Sequence, residues 1–348
     1  MKINIITWLN NFGLTKEAKL LKEILEKEGF DVQIFNLEKK TEIRNADINI
    51  FCERISENHF QLAKFNIFLP NPEWFVFSTS DGKAHTQLTE CIPEFSKLDL
   101  ILCKTHDAVK IFKNYINEDK IKFVSFTSED NFLEVENKYR TFLHLQGKSN
   151  LKGTNELWQV GFHYYDDWSE LSKRTKKYLE IFISSANFSN AEILPAQFKY
   201  YPKINDDDDF KKAQNKCIFH ICPSYYEGFG HYIWEALSCG AIVLTLDAPP
   251  MNEFVTNEFG LLIKPQRIVV SQKSSVESGE NNNSTLRTTK HHLATMHYPD
   301  IDDLADKIKI AFELPEEKII GMMQLARDRW LDNDMFFRSE FVKAIREL

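Results

Sequence analysis

The residues of this chain best placed to do chemistry fall in one stretch: Ile221-Cys222-Pro223-Ser224-Tyr225-Tyr226-Glu227-Gly228-Phe229-Gly230-His231-Tyr232-Ile233-Trp234-Glu235-Ala236-Leu237-Ser238-Cys239-Gly240. It reads as a buried strand, a loop with two glycines, a helix, and a turn at Gly240 into another strand. Such a loop turns backbone N–H groups and the positive end of a helix toward an anion. Gly228 and Gly230 let the backbone approach a ligand closely. His231 and Glu235 are four residues apart and share a helix face, and Glu227 lies four before His231, in the loop above that face. Two carboxylates thus aim at one region beside a loop suited to phosphate. A carboxylate there accepts both hydroxyls of a ribose or a sugar diol.

Pro223, Ser224, Glu227, Gly228, Phe229, Gly230, Glu235, Ala236 and Gly240 fit the pattern PS-x-x-EGFG-x-x-x-x-EA-x-x-x-G. In this the segment resembles the Glu-x7-Glu signature of retaining GT-B glycosyltransferases, the GT4-type group in particular. The resemblance implies that Glu235 holds a nucleotide ribose and that Glu227 contacts the hydroxyls of a donor sugar. It implies that the backbone of residues 228–230 borders sugar and phosphate. Residues 147–154, Gly147-Lys148-Ser149-Asn150-Leu151-Lys152-Gly153-Thr154, look like the family's phosphate site. Lys148 and Lys152 stand there for the usual Arg and Lys, which keeps the charge but loses the bidentate fork. Two solvated loop lysines are the alternative. Glu227, Lys152 and Lys148 are thereby the expected catalytic set. Gly147, Phe229, Gly230, His231 and Gly13 join them around the donor. Gly13 is the one residue of Asn10-Asn11-Phe12-Gly13 that matches the family's Gly-rich first loop. The implied reaction needs no metal or cofactor beyond a nucleoside diphosphate sugar. It moves the sugar to a hydroxyl of a glycan or small acceptor, with retention. A sugar-nucleotide epimerase of the same fold and a non-catalytic binding protein are the competing readings.

These residues need a frame. Residues 3–8 form an apolar, β-branched run. A helical pattern follows, with Ala18, Leu21, Ile24 and Leu25 on one face, stopped by Gly29. Residues 32–35 make a second strand, which is how a doubly wound sheet begins. Strands are expected at 48–52, 65–69, 98–103 and 122–126, with a helix at 107–115. The polar run Thr127-Ser128-Glu129-Asp130 suits a linker. A second alternating set has strands at 140–146, 180–184, 217–222 and 241–246, with helices at 155–162, 168–178, 210–216 and 231–238. Residues 271–284 are polar and read as a surface loop. Helices at 301–312, 316–331 and 335–345 close the chain. The expected fold is α/β of GT-B type, with two Rossmann-like domains facing across a cleft. Residues 1–138 would form the acceptor domain and 139–327 the donor domain, with 328–348 crossing back onto the first.

The remaining candidates sit on the acceptor side. Asn11, the Asn71 and Glu73 of Pro70-Asn71-Pro72-Glu73-Trp74, and His106 are placed to meet an acceptor; ordinary loop and capping roles are the alternatives. Ala248-Pro249-Pro250-Met251-Asn252-Glu253 borders the cleft or is a structural proline turn. His291, His292 and His297 lack companion ligands for a metal site. The chain has 348 residues, enough for two domains, and is 43% hydrophobic and 27% charged, with a net charge of −8. That acidic balance disfavours nucleic acid as a partner. Six cysteines without a CxxC pair suit buried free thiols. With no signal peptide or membrane span in the sequence, a cytoplasmic protein is expected; peripheral membrane contact and the oligomeric state stay open.

Overall fold

Apolar runs alternating with amphipathic helices build two parallel sheets. The computed structural model describes residues 1–10, 13–37, 42–75, 95–147, 149–185, 197–200, 207–270 and 294–348. In the first part, β1 (Lys2–Thr7) leads to α1 (Gly13–Lys27) and β2 (Asp31–Asn36). Then come β3 (Ala46–Cys52), β4 (Ala63–Leu69), β5 (Leu100–Cys103), α2 (His106–Phe112) and β6 (Ile121–Phe123). The strand order is β2-β1-β3-β4-β5-β6. A ladder of buried asparagines fixes the central register. Asn4 Nδ2 donates to Asn49 Oδ1 at 3.0 Å, and Asn49 Nδ2 donates to Asn66 Oδ1 at 3.1 Å. A slip by one residue would strand these amides in the core.

The second part begins with β7 (Tyr139–Gly147), α3 (Thr154–His163), α4 (Tyr165–Thr175), β8 (Ile181–Ser185) and β9 (Phe198–Tyr200). It continues with α5 (Asp207–Lys216), β10 (Cys217–Cys222), α6 (His231–Ser238), β11 (Ile242–Leu246), α7 (Met251–Phe254) and β12 (Gly260–Ile263). The order here is β12-β11-β10-β7-β8-β9. Every residue of β10 and β11 is buried, as the inner strands of a parallel sheet covered on both faces must be. An antiparallel pair, β13 (Pro265–Val270) with β14 (Thr295–Pro299), was not foreseen from the sequence. The loop expected at 271–284 and the residues His291 and His292 lie outside the described residues. The five described cysteines are buried and free. Among the described residues no helix is long and apolar enough to cross a membrane.

After α8 (Ile301–Glu313), a single helix α9 (Glu316–Arg346) ends the chain. This corrects the expected break between 331 and 335. Asn333, inside that expected break, is buried and bridges to the first part: its Nδ2 donates to the Phe126 carbonyl at 2.6 Å and its Oδ1 accepts from Ser125 Oγ at 2.6 Å. Farther along, Phe337, Phe341 and Ile345 are buried. Arg346 pairs with Glu28 at 2.6 Å and Lys122 with Glu347 at 2.9 Å. The helix therefore runs from α6, against which its first half packs, back onto the first sheet.

Two histidines are buried within the second sheet. His144 Nδ1 lies 2.8 Å from the Ile221 carbonyl and Nε2 2.8 Å from Thr154 Oγ1. His220 Nε2 lies 3.0 Å from the Gln214 carbonyl. Burial pushes both imidazoles down to about 4. An unfolded chain takes up these protons near pH 6.5, so stability contributed by the neutral rings is lost as pH falls from about 6.5 to 4. The share is on the order of 3 kcal/mol per ring. His220→Asn is expected to flatten the pH dependence of the urea midpoint across that window. An unchanged slope would contradict this account.

Candidate active site

In an open parallel sheet, ligands bind beyond the carboxyl ends of the strands, where the strand order reverses. The first sheet reverses between β1 and β3, and the second between β7 and β10. The loops that leave those four strands carry nearly all the candidate residues, and the two reversal points face one another.

On the second sheet, Gly147 closes β7 at φ 60 and Gly153 caps α3 at φ 64. A Cβ on Gly153 would lie 2.2 Å from the Pro223 carbonyl oxygen, so this loop is pressed onto the end of β10. His144 ties β7, β10 and the first residue of α3 together beneath it. From this base Lys152 reaches Glu227, Nζ to Oε1 at 2.5 Å, and its Nζ sits 4.1 Å from the Tyr232 ring centroid. Ser224 Oγ donates to the same Glu227 oxygen and also bonds the Tyr232 hydroxyl. Glu227 is 3% exposed. Lys148 lies outside the described residues.

His231 and Glu235 share a face of α6, as their spacing implies, and both meet the first turns of α1. Gly230 takes a left-handed turn, φ 78, between the loop that carries Glu227 and the start of α6. His231 Nε2 points across the cleft to Glu17 Oε1 at 3.1 Å. Glu235 meets Lys16 Nζ at 3.3 Å and Gln214 Nε2 at 3.4 Å. The ring of Phe229 is a core group; it lies parallel to Trp234 at 5.6 Å and edge-on to Phe126 at 5.1 Å. Only its backbone remains available to a ligand.

The first sheet supplies the opposite wall. A Cβ on Gly228 would lie 3.1 Å from Asn71 Oδ1, so the glycine loop touches the end of β4. Asn71 Oδ1 accepts from Lys104 Nζ at 2.7 Å, and Asn71 Nδ2 donates to Glu53 Oε2 at 3.3 Å. Lys104 is fully buried and pairs with Glu17 Oε1 at 2.7 Å. Burial would raise the Glu17 carboxyl, but Lys104 and His231 reverse the sign and hold it at about 2. Glu73 goes the other way. Burial first, and then the Glu227 carboxylate, push it up to about 7, against the pull of Lys152. Gly13 borders this wall, with its Cβ position 3.8 Å from His231 Cδ2. Asn11 lies outside the described residues.

His106 is not brought to these carboxylates. Its ring stacks on Phe123 with centroids 3.9 Å apart. The backbone N–H groups of His106 and Asp107 instead receive the Glu253 carboxylate, at 2.7 and 2.8 Å. Tyr226 donates to Asp107 Oδ2 at 2.7 Å in the same seam. Residues 248–253 thus belong to the contact between the two sheets' loops. Among the described residues no group of three or more His, Cys, Asp or Glu side chains could hold a metal ion.

Glu17 and Lys104 were missed from the sequence, though Glu17 carried a signal. It falls on the apolar face of α1, among Leu14, Ala18, Leu21, Ile24 and Leu25. A charge in that stripe needs a buried partner. Lys104 continues the apolar strand β5 and offers the matching charge.

Residues 185–292 match the family model described as Glycosyl transferases group 1, a segment that includes Glu227 and Glu235. No curated protein sequence matches the chain. The fold is similar to sucrose-phosphate synthase from Thermosynechococcus elongatus, with a TM-score of 0.71 and 12% identity over 100% of this chain and 98% of that one. It is also similar to Anabaena HepE in complex with UDP and glucose, with a TM-score of 0.62 and 12% identity over the whole of both chains. A glycosyltransferase from Rickettsia africae superposes with a TM-score of 0.61 and 14% identity over 99% of this chain and 98% of that one. The chain thus has the GT-B fold throughout, and residues 185–292 of its second sheet carry a group 1 glycosyltransferase segment.

Proposed function

We propose that this protein is a glycosyltransferase that takes its sugar from a nucleoside diphosphate sugar and transfers it to a hydroxyl with retention at the anomeric carbon. The observation that carries the reading is the Lys152–Glu227 pair, 2.5 Å apart at the reversal point of the second sheet. A diphosphate arriving there competes for the lysine. Its capture of Lys152 frees Glu227 to accept hydroxyls of the transferred sugar. In this reading the N–H groups of residues 228–230 border the sugar and phosphate, and the buried Glu235 takes the ribose diol. HepE, solved with UDP and glucose, supports a nucleotide ligand for this fold.

The bond that breaks joins the anomeric carbon to the β-phosphate oxygen. Negative charge grows on that oxygen, where Lys152 and the loop N–H groups stabilise it. The acceptor hydroxyl attacks from the same face and gives its proton to the departing phosphate. Asn71 and Glu73 line the acceptor side in this reading. Contacts across the seam, Glu253 to α2 and Tyr226 to Asp107, hold the two walls together and keep water from the donor.

The test is incubation with a panel of UDP-, GDP- and ADP-sugars. Release of nucleoside diphosphate from one of them is expected, together with stabilisation of the fold by that nucleotide. Glu235→Ala should weaken nucleotide binding about 100-fold, the worth of a bidentate charged contact. Unchanged affinity in calorimetry would show that the ribose lies elsewhere.

A further inference from the structure

Glu17 has one oxygen too many for the protein around it. Its Oε1 is shared between Lys104 Nζ, at 2.7 Å, and His231 Nε2, at 3.1 Å. Its Oε2 is buried without a hydrogen-bond partner among the described residues, and the residue as a whole is 2% exposed. A buried carboxylate oxygen left unpaired is costly, so native sites keep such an atom for something that arrives.

Its location says what arrives. Glu17 stands one turn into α1, the helix that follows β1, and so at the reversal point of the first sheet. Lys104 links it directly to Asn71, which abuts Gly228 of the donor loop. The proposed donor groups Lys152, Glu227 and Glu235 all belong to the second sheet. A partner for Oε2 therefore enters from the acceptor side. Held ionised between two basic groups, Glu17 only accepts, so the partner must donate: a hydroxyl.

We propose that Glu17 is an acceptor-binding residue whose Oε2 takes a hydrogen bond from a sugar hydroxyl next to the one that is glycosylated. This rests on the reading of the cleft as a transferase site. Lys104 is then a positioning residue, which fixes the carboxylate through Oε1.

The experiment uses the full chain with the donor found in the panel. Methyl α-D-glucoside, methyl α-D-galactoside, methyl α-D-mannoside and their monodeoxy analogues serve as acceptors, with product read by mass spectrometry. Glu17→Gln is expected to raise the acceptor KM about tenfold or more while the donor KM moves less than twofold. One monodeoxy analogue should cost the unmodified protein a similar factor and cost Glu17→Gln almost nothing further. The inference is overturned if the acceptor KM is unchanged, if the donor KM moves instead, or if every deoxy position costs both proteins alike. An ordered water as the sole partner would show as lost stability with unchanged acceptor KM. Should Glu17→Gln fail to fold, Glu17→Asp with the deoxy series decides: no deoxy penalty in the unmodified protein overturns the inference. Nucleotide release without transfer to any of the three sugars also counts against it. No nucleotide release at all would instead sink the proposed function.

Discussion

Lys152→Met is expected to lower kcat by about 10²–10³, with a smaller change in donor KM. Methionine keeps the apolar stem but removes the ammonium, which lies 4.1 Å from the Tyr232 ring centroid and 2.5 Å from Glu227. Loss of one preorganised donor at a developing oxyanion has an effect of that size. The substitution also leaves the Glu227 carboxylate buried beside Ser224 without its counter-charge, and removing one member of a buried pair costs about 3 kcal/mol. The two effects separate in the double variant. Lys152→Met with Glu227→Gln removes both charges, so the melting temperature should largely recover while turnover stays low. Recovery of turnover together with stability would mean that Lys152 serves packing and not the leaving group.

Gly153→Ala should be among the most damaging single changes in the chain. The residue sits at φ +64, and a Cβ would come within 2.2 Å of the Pro223 carbonyl oxygen and 2.9 Å of Pro223 Cγ. That oxygen cannot retreat easily, because it follows β10, which is hydrogen-bonded between β11 and β7. Either the loop carrying Lys152 lifts or the strand end shifts. A loss of about 4 kcal/mol is expected, with donor binding weakened as well. Gly29→Ala is the control. Gly29 has φ +85 and nothing within 4 Å of its Cβ position, so only the left-handed backbone is penalised, by about 1 kcal/mol. Thermal unfolding of both variants checks this. Equal losses would show that the loop does not bear on β10 as described.

The frame of this molecule is legible in the sequence because burial imposes it residue by residue. Strands β10 and β11 are largely apolar runs, broken by one polar residue each, His220 and Thr245, and α1 repeats Ala18, Leu21 and Leu25 on one face. Local chemistry misleads where tertiary partners override it. A break is expected between 331 and 335, yet the Asn333 amide there is satisfied by Ser125 and Phe126 and the helix continues. His231 and Glu235 share a helix face as their spacing implies, but their partners Glu17 and Lys16 come from α1, which that spacing does not name. Pairs such as Lys104–Glu17 and Lys16–Glu235 join distant parts of the chain. Spacing along one helix cannot reveal them; only the meeting of the two sheets does.

The central claim, that the reversal point of the second sheet holds a nucleoside diphosphate sugar, is tested most directly by a crystal structure with UDP, or with whichever nucleotide the panel selects. The account predicts the diphosphate within hydrogen-bond distance of Lys152 Nζ and the N–H groups of residues 228–230, with the ribose hydroxyls on Glu235 and the Lys152–Glu227 pair opened. A nucleotide bound elsewhere, with that pair intact, would contradict it.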